Sequence, residues 1–286
     1  MRPTTPTIDS RAELADYIDA YPDRLDGRLG VFLGIPKSGT ATGFDVVYTH
    51  RAEERFKSAS VIKLPVLYTL YHRYDGHLGE LTEPHGLATI NRVAGSGLFH
   101  LLGTTTPSLE DLAYAMIAIS DNAATNELID VLGRETINTV ATSLGMDHTR
   151  LGRKLMATLG DNQLAVPVDL PDDEPANVIA PIDCARFYRD LIAERTLSTA
   201  AYERLKLPLR EQKYGDTFPR YLPYDMTILH KTGWVPSAAL DTGYIAADDA
   251  AGDPLVFAVF TDDLDHGADG SDVIAEIGDA VAAWLA

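Results

Sequence analysis

Residues 226–263 read MTILHKTGWVPSAALDTGYIAADDAAGDPLVFAVFTDD, in which three apolar runs, MTILHKTGW, DTGYIAAD and PLVFAVFTDD, are separated by Pro, Ser, Asp and Gly. Runs of this length between turn formers predict three strands joined by hairpins, hence an antiparallel arrangement. SDVIAEIGDAVAAWLA (271–286) follows with apolar residues at helical spacing. At the other end, RLGVFLGIP (28–36) and DVVYTHRA (45–52) predict a second hairpin around KSGTATG. Residues 10–20 predict an amphipathic helix capped by Ser10, with Leu14, Tyr17 and Ile18 on one face. Five strands at the two ends of one chain form a single sheet only by pairing across the sequence.

Between them, SVIKLPVLYTLYHRY, SLEDLAYAMIAIS, AATNELIDVLG and PIDCARFYRDLIAERTL repeat apolar residues at i, i+3 and i+4. The expected fold is α+β: an antiparallel five-stranded sheet flanked by N- and C-terminal helices, plus an inserted all-α domain. The expected boundaries are 1–57 with 207–286 for the sheet domain and 58–206 for the helical one, with the active site in the cleft between them.

At 286 residues the chain has room for one large domain or two small ones, and no run approaches the ~18 apolar residues of a membrane span. Its 42 acidic and 24 basic residues give a net charge of −18, which repels nucleic acid and anionic lipid alike. The single cysteine, Cys184, permits no internal disulfide, and its apolar helical surroundings predict a core position. Eight histidines are scattered without H-E-x-x-H; His230 reads as a packed strand residue, and neither metal nor cofactor is implied. GIPKSGT fails as a phosphate loop because Lys37 precedes the glycine. The N-terminal stretch has no apolar h-region, so a cytoplasmic, monomeric protein acting on a small molecule is expected.

Three short segments carry chemistry. Ser60 and Lys63 are three residues apart at a predicted helix start, which puts a hydroxyl and an amine on one face. A serine needs a neighbour to take its proton, and lysine serves only if burial or nearby positive charge lowers its pKa. Ser120-Asp121-Asn122 joins two helical runs and reads locally as a capping turn. Lys231-Thr232-Gly233 lies in a strand, where the glycine allows close backbone approach and the Lys/Thr pair suits a carboxylate. Phe99, Tyr214 and Trp234 are candidate lining residues, and Pro65 predicts a local irregularity beside Lys63.

S-x-x-K, S-D-N and K-T-G in this order resemble class A β-lactamases and penicillin-binding proteins. The likeness extends to VVYTHRAEERFKSAS before the first motif and TSLGMDHTRLGRK after the second, so it covers nearly the whole chain. The resemblance implies Ser60 as acylated nucleophile, Lys63 as base or relay, and Ser120 as proton donor to the leaving nitrogen. Asn122 would orient the substrate amide, Lys231 and Thr232 would receive its carboxylate, and the N–H groups of Ser60 and Trp234, beside Gly233, would form the oxyanion hole.

The family's R-x-E-x-x-L-N segment carries the glutamate that activates the deacylating water. Laid on it through Arg153, TRLGRKLMATL puts Leu155 at the glutamate and Leu159 at the asparagine. Asp161, Asp169, Asp172, Asp173 and Glu174 follow as acids able to substitute. Two outcomes stay open: β-lactam hydrolysis by another water path, or slow deacylation as in a penicillin-binding protein, esterase or DD-peptidase. A non-catalytic ligand-binding relative is the third reading.

The acidic excess is 29 Asp and 13 Glu against 7 Lys and 17 Arg, a composition suited to concentrated salt, where like-charge repulsion is screened. Near-UV circular dichroism is expected to fade as salt is dialysed away; a signal unchanged in low salt would contradict salt adaptation.

Overall fold

The computed structural model describes residues 5–40, 42–156, 177–246 and 253–286. In chain order its regular elements are α1 (Arg11–Asp19), β1 (Arg28–Pro36), β2 (Phe44–His50), β3 (Phe56–Lys57), α2 (Lys63–Tyr74), α3 (Leu109–Ala118), α4 (Asn122–Leu132) and α5 (Arg134–Ser143). There follow β4 (Arg150–Leu151), β5 (Asn177–Ile179), α6 (Pro181–Ala193), α7 (Thr199–Arg210), β6 (Ile228–Val235), β7 (Ala238–Ile245), β8 (Leu255–Asp262) and α8 (Gly267–Leu285). The chain divides into two compact units, a sheet unit of Met1–Val61, Ile179–Arg189 and Tyr214–Ala286, and a helical unit of Ile62–Val178 and Asp190–Lys213.

The sheet unit holds the five strands in the order β2-β1-β8-β7-β6. All four pairings are antiparallel, and β1 meets β8 with Val31 opposite Val259. This is the predicted sheet, with the N-terminal hairpin joined to the C-terminal strands. Strands β7 and β8 are buried along their whole length, as expected for central strands covered on both faces. On one face, Leu29, Val31 and Leu33 of β1 and Phe257 and Val259 of β8 pack with Leu14 and Ile18 of α1 and Ile274, Ile277 and Val281 of α8. Helix α1 starts where Ser10 predicts: the serine side chain accepts the Glu13 N–H. Each fully buried Leu or Ile contributes about 1.5–3 kcal/mol relative to exposure. On the opposite face Phe56 sits over Gly30 and edge-on to Phe260, and the Tyr188 hydroxyl of α6 donates to the Thr242 carbonyl of β7. Cys184 is buried on α6, as its sequence setting predicts.

In the helical unit α2 is buried from Lys63 to Tyr71, so it is a central helix rather than an amphipathic one. It begins at Lys63, preceded by a 3-10 turn at Ala59–Ile62. Pro65 therefore falls in the first turn, where its missing N–H has no intrahelical acceptor to lose; the irregularity beside Lys63 is the 3-10 turn before it rather than a break at Pro65. Ser108 and Asp111 cap α3 reciprocally, and Asp121 caps α4. Helices α5 and α7 escape the sequence reading. RETINTVATS is rich in weak helix formers although Ile137, Val140 and Ala141 keep helical spacing, and TAAYERLKLPLR ends in a proline-bearing turn.

Helix α8 fits closely because of its glycines: a Cβ on Gly278 would lie 2.2 Å from the Phe218 carbonyl oxygen. Gly to Ala inside a helix normally gains up to ~1 kcal/mol. Gly278→Ala is expected to do the reverse, lowering the midpoint of thermal unfolding; a raised midpoint would show that the helix can shift outward freely.

Candidate active site

The helical unit brings together three of the predicted residues. The Lys63 side chain is fully buried, and its Nζ donates to the Ser120 carbonyl oxygen at 2.7 Å, to Ser120 Oγ at 3.0 Å and to Asn122 Oδ1 at 2.9 Å. A buried ammonium costs several kcal/mol unless its donors are met, and here three acceptors meet them. The arrangement depends on Ser120, whose φ of 56° lies in the left-handed region. That turn presents both its carbonyl and its hydroxyl to one amine, a strained backbone of the kind found at functional sites.

Asp121 fixes the turn. Its carboxylate accepts the N–H groups of Leu98 (2.5 Å), Phe99 (2.8 Å) and Ala124 (2.9 Å), so it clamps the 94–99 loop to the start of α4. The loop closes further through Asn122 N–H to the Ser96 carbonyl at 3.1 Å. Only glycine fits at Gly97, which has φ 98° and where a Cβ would stand 2.3 Å from the Asp121 carboxyl carbon. This second role of Asp121, as anchor of a loop more than twenty residues earlier, leaves no signal in S-D-N itself.

In the sheet unit, Ser60 is half-buried in the 3-10 turn and follows Ala59, whose φ of 42° is also left-handed. Gly233 lies against this turn: a Cβ there would fall 3.1 Å from Ala59 Cβ and 3.2 Å from the Ser58 carbonyl oxygen. The K-T-G strand is β6, the edge of the sheet, so one side of its backbone is not taken up by strand pairing. Lys231 and Thr232 are buried on it, while the Trp234 indole is exposed and leans on Gly267 at the start of α8. His230 is a buried strand residue, as predicted, with Nδ1 2.9 Å from Asp241 Oδ1. Asp241 Oδ2 accepts Thr217 Oγ1 at 2.6 Å and the Phe218 N–H at 3.1 Å. Burial pulls the Lys231 ammonium down to about 7, against the opposing charge of Asp241. Of the other candidate lining residues, Phe99 is half-buried in the helical unit and Tyr214 exposed in the sheet unit.

Asn126, four residues after Asn122 and so on the same face of α4, was not singled out in the sequence although its spacing was there to read. It holds Leu155 by both backbone groups: Leu155 N–H donates to Asn126 Oδ1 at 2.8 Å, and Asn126 Nδ2 donates to the Leu155 carbonyl at 3.1 Å. The residue fixed in this way carries an isobutyl group. Nearby acids on α4 are committed elsewhere, Glu127 to His85, Ala88 and Asn91, and Asp130 to Asn91 and Lys154. Leu159, Asp161, Asp169, Asp172, Asp173 and Glu174 lie outside the described residues.

The Beta-lactamase enzyme family matches residues 13–285. Beta-lactamase AST-1 of Nocardia asteroides is 30% identical over 264 residues, 90% of this chain and 80% of that protein. Among solved structures, a beta-lactamase from Sphaerobacter thermophilus superposes with TM-score 0.80 at 30% identity, covering 95% of this chain and 96% of its own. A mutant of PBP-A, solved as an acyl-enzyme complex with penicillin G, has TM-score 0.76 at 22% identity, covering 98% of both chains; that likeness is one of fold. No helix among the described residues is long and apolar enough to cross a membrane.

The low pKa of Lys231 has a definite sign for binding. Below about 7 Lys231 is an ammonium and above it a neutral amine, so an anion bound by it is expected to be held more weakly as pH rises. The dissociation constant of a carboxylate-bearing β-lactam is expected to weaken steadily from pH 7 to 9 in the wild type and to stay flat in Lys231→Arg. A flat wild-type profile would contradict a neutralising Lys231.

Proposed function

The chain belongs to the beta-lactamase enzyme family and is a hydrolase of the class A serine type, and on that premise we propose that it opens the β-lactam amide by acylating Ser60 and releases the acyl group slowly. Ser60 Oγ attacks the lactam carbonyl. Its proton passes to Lys63, three residues on, in the neutral amine form; Ser120, hydrogen-bonded to Lys63 Nζ at 3.0 Å, gives its hydroxyl proton to the departing nitrogen and takes one back from Lys63. Asn122 orients the substrate's side-chain amide, and Lys231 with Thr232 receives its carboxylate. The N–H groups of Ser60 and Trp234 hold the oxyanion, with Gly233 allowing the nucleophile turn and the strand to approach closely.

The observation that carries the slow second step is Leu155. Hydrolysis of an acyl-enzyme needs a base on the attacking water, and a hydrocarbon cannot take a proton. Asn126 holds Leu155 by its backbone, so no carboxylate enters at that residue without a change of sequence. Persistence of the acyl group is thus favoured over rapid turnover, and ester or peptide substrates on the same machinery are the second reading.

Intact-protein mass spectrometry after mixing with penicillin tests this. An adduct of penicillin mass is expected on the wild type, outlasting many acylation half-times, and none on Ser60→Ala. Leu155→Glu is expected to shorten the adduct's life at least tenfold, roughly the lower end of what a positioned general base supplies. An adduct on Ser60→Ala would overturn the nucleophile, and rapid clearance by the wild type would overturn the slow step.

A further inference from the structure

One buried carboxylate of the sheet unit has no part in the chemistry above. Asp262, at the end of β8, is 2% exposed, and burial pushes its carboxyl above the ordinary range despite Arg28 and the Lys57 N–H. Keeping such a group costs stability unless it does something a neutral residue would not.

Its neighbours all converge on the chain leading to Ser60. Asp262 Oδ2 accepts the Lys57 N–H at 3.2 Å. Arg28, its register partner on β1, lies 3.7 Å from Oδ1. The same guanidinium donates to the Arg55 carbonyl at 3.0 Å and to Glu54 Oε2 at 3.2 Å, and it stacks over the Phe56 ring at 4.5 Å. Residues 54–57 are therefore gripped one after another from one end of the β1–β8 pair. Lys57 carries the grip onward: its Nζ donates to Asp263 Oδ1 at 2.8 Å and to Ser237 Oγ at 3.3 Å in the turn after β6. Ser237 is held in addition by the Leu264 N–H, which donates to its carbonyl at 3.1 Å.

We propose that Arg28, Lys57 and Asp262 are positioning residues for the acylation step, clasping together the segment that ends in Ser60 and the β6–β7 turn that follows Trp234. The inference rests on the reading that these two segments supply the nucleophile and the two oxyanion donors. Both donors are backbone N–H groups, so their spacing is set by where the two chain segments sit and cannot be corrected by a side-chain rotamer. The carboxylate, the side-chain amide and the leaving nitrogen meet other residues. Loosening the clasp therefore slows bond formation and leaves the initial binding of substrate alone.

The test resolves the acylation rate constant from the dissociation constant of the non-covalent complex, by stopped flow with a chromogenic cephalosporin. Asp262→Asn and Lys57→Met are expected to acylate about tenfold or more slowly, the size of effect that small misplacements produce, with dissociation constants within about twofold of wild type. Lys57→Arg, which keeps the charge and reach, is expected to recover most of the rate. Wild-type acylation by both Asp262→Asn and Lys57→Met, or a loss confined to the dissociation constant, would overturn the proposal. Should Asp262→Asn melt below the assay temperature, the Lys57→Met and Lys57→Arg pair decides alone by the same criteria. Acylation of a Ser60→Ala control would instead overturn the underlying reading of the site.

Discussion

A lysine ammonium shut away from water governs much of this molecule. Lys63 opens the central helix of the helical unit, buried among mostly apolar residues, and the acceptors arranged around it satisfy its charge. Two of these acceptors belong to Ser120, and they converge only because that residue adopts a left-handed backbone. The left-handed turn in turn needs Asp121 to cap α4 and to hold the 94–99 loop, and that loop needs glycine at 97. One buried charge thus accounts for the shape of the 94–99 loop.

The sheet unit solves a different problem, that of bringing two main-chain segments side by side. An edge strand with glycine at 233 and a nucleophile turn with a left-handed Ala59 approach within van der Waals contact. The chain leading into that turn is held by the Phe56 ring on Gly30 and by Arg28 and Asp262, which bond to residues between 54 and 57. Lys63 is met by three acceptors, whereas the residue that Asn126 holds offers no proton acceptor.

The sheet was legible because alternating and continuous apolar runs at the two chain ends leave few ways to pair, and five strands in an antiparallel order result. Ser60, Lys63, Ser120 and Lys231 stood out as a set of motifs because the resemblance ties particular residue types to particular spacings, and of these the structure joins Lys63 to Ser120. Helices α5 and α7 were not, because tertiary burial of Ile137, Val140 and Leu205 outweighs weak propensity and an internal proline. Nor were most of the supporting contacts. The cap that Asp121 places on α4 was legible, but its hold on the 94–99 loop and the contacts of Asn126 and Asp262 run to backbone groups remote in sequence, and a hydrogen bond to a main-chain N–H leaves no constraint on the residue type at the other end.

The most direct test is a crystal structure of the wild-type protein soaked with penicillin G. Continuous density is expected from Ser60 Oγ to the opened lactam carbonyl, with Lys63 Nζ still bonded to Ser120 and Asn122 and no carboxylate within hydrogen-bond reach of a water facing the ester. Density attached to another residue would contradict the assignment of the nucleophile. A carboxylate-bound water poised on the ester would contradict slow release.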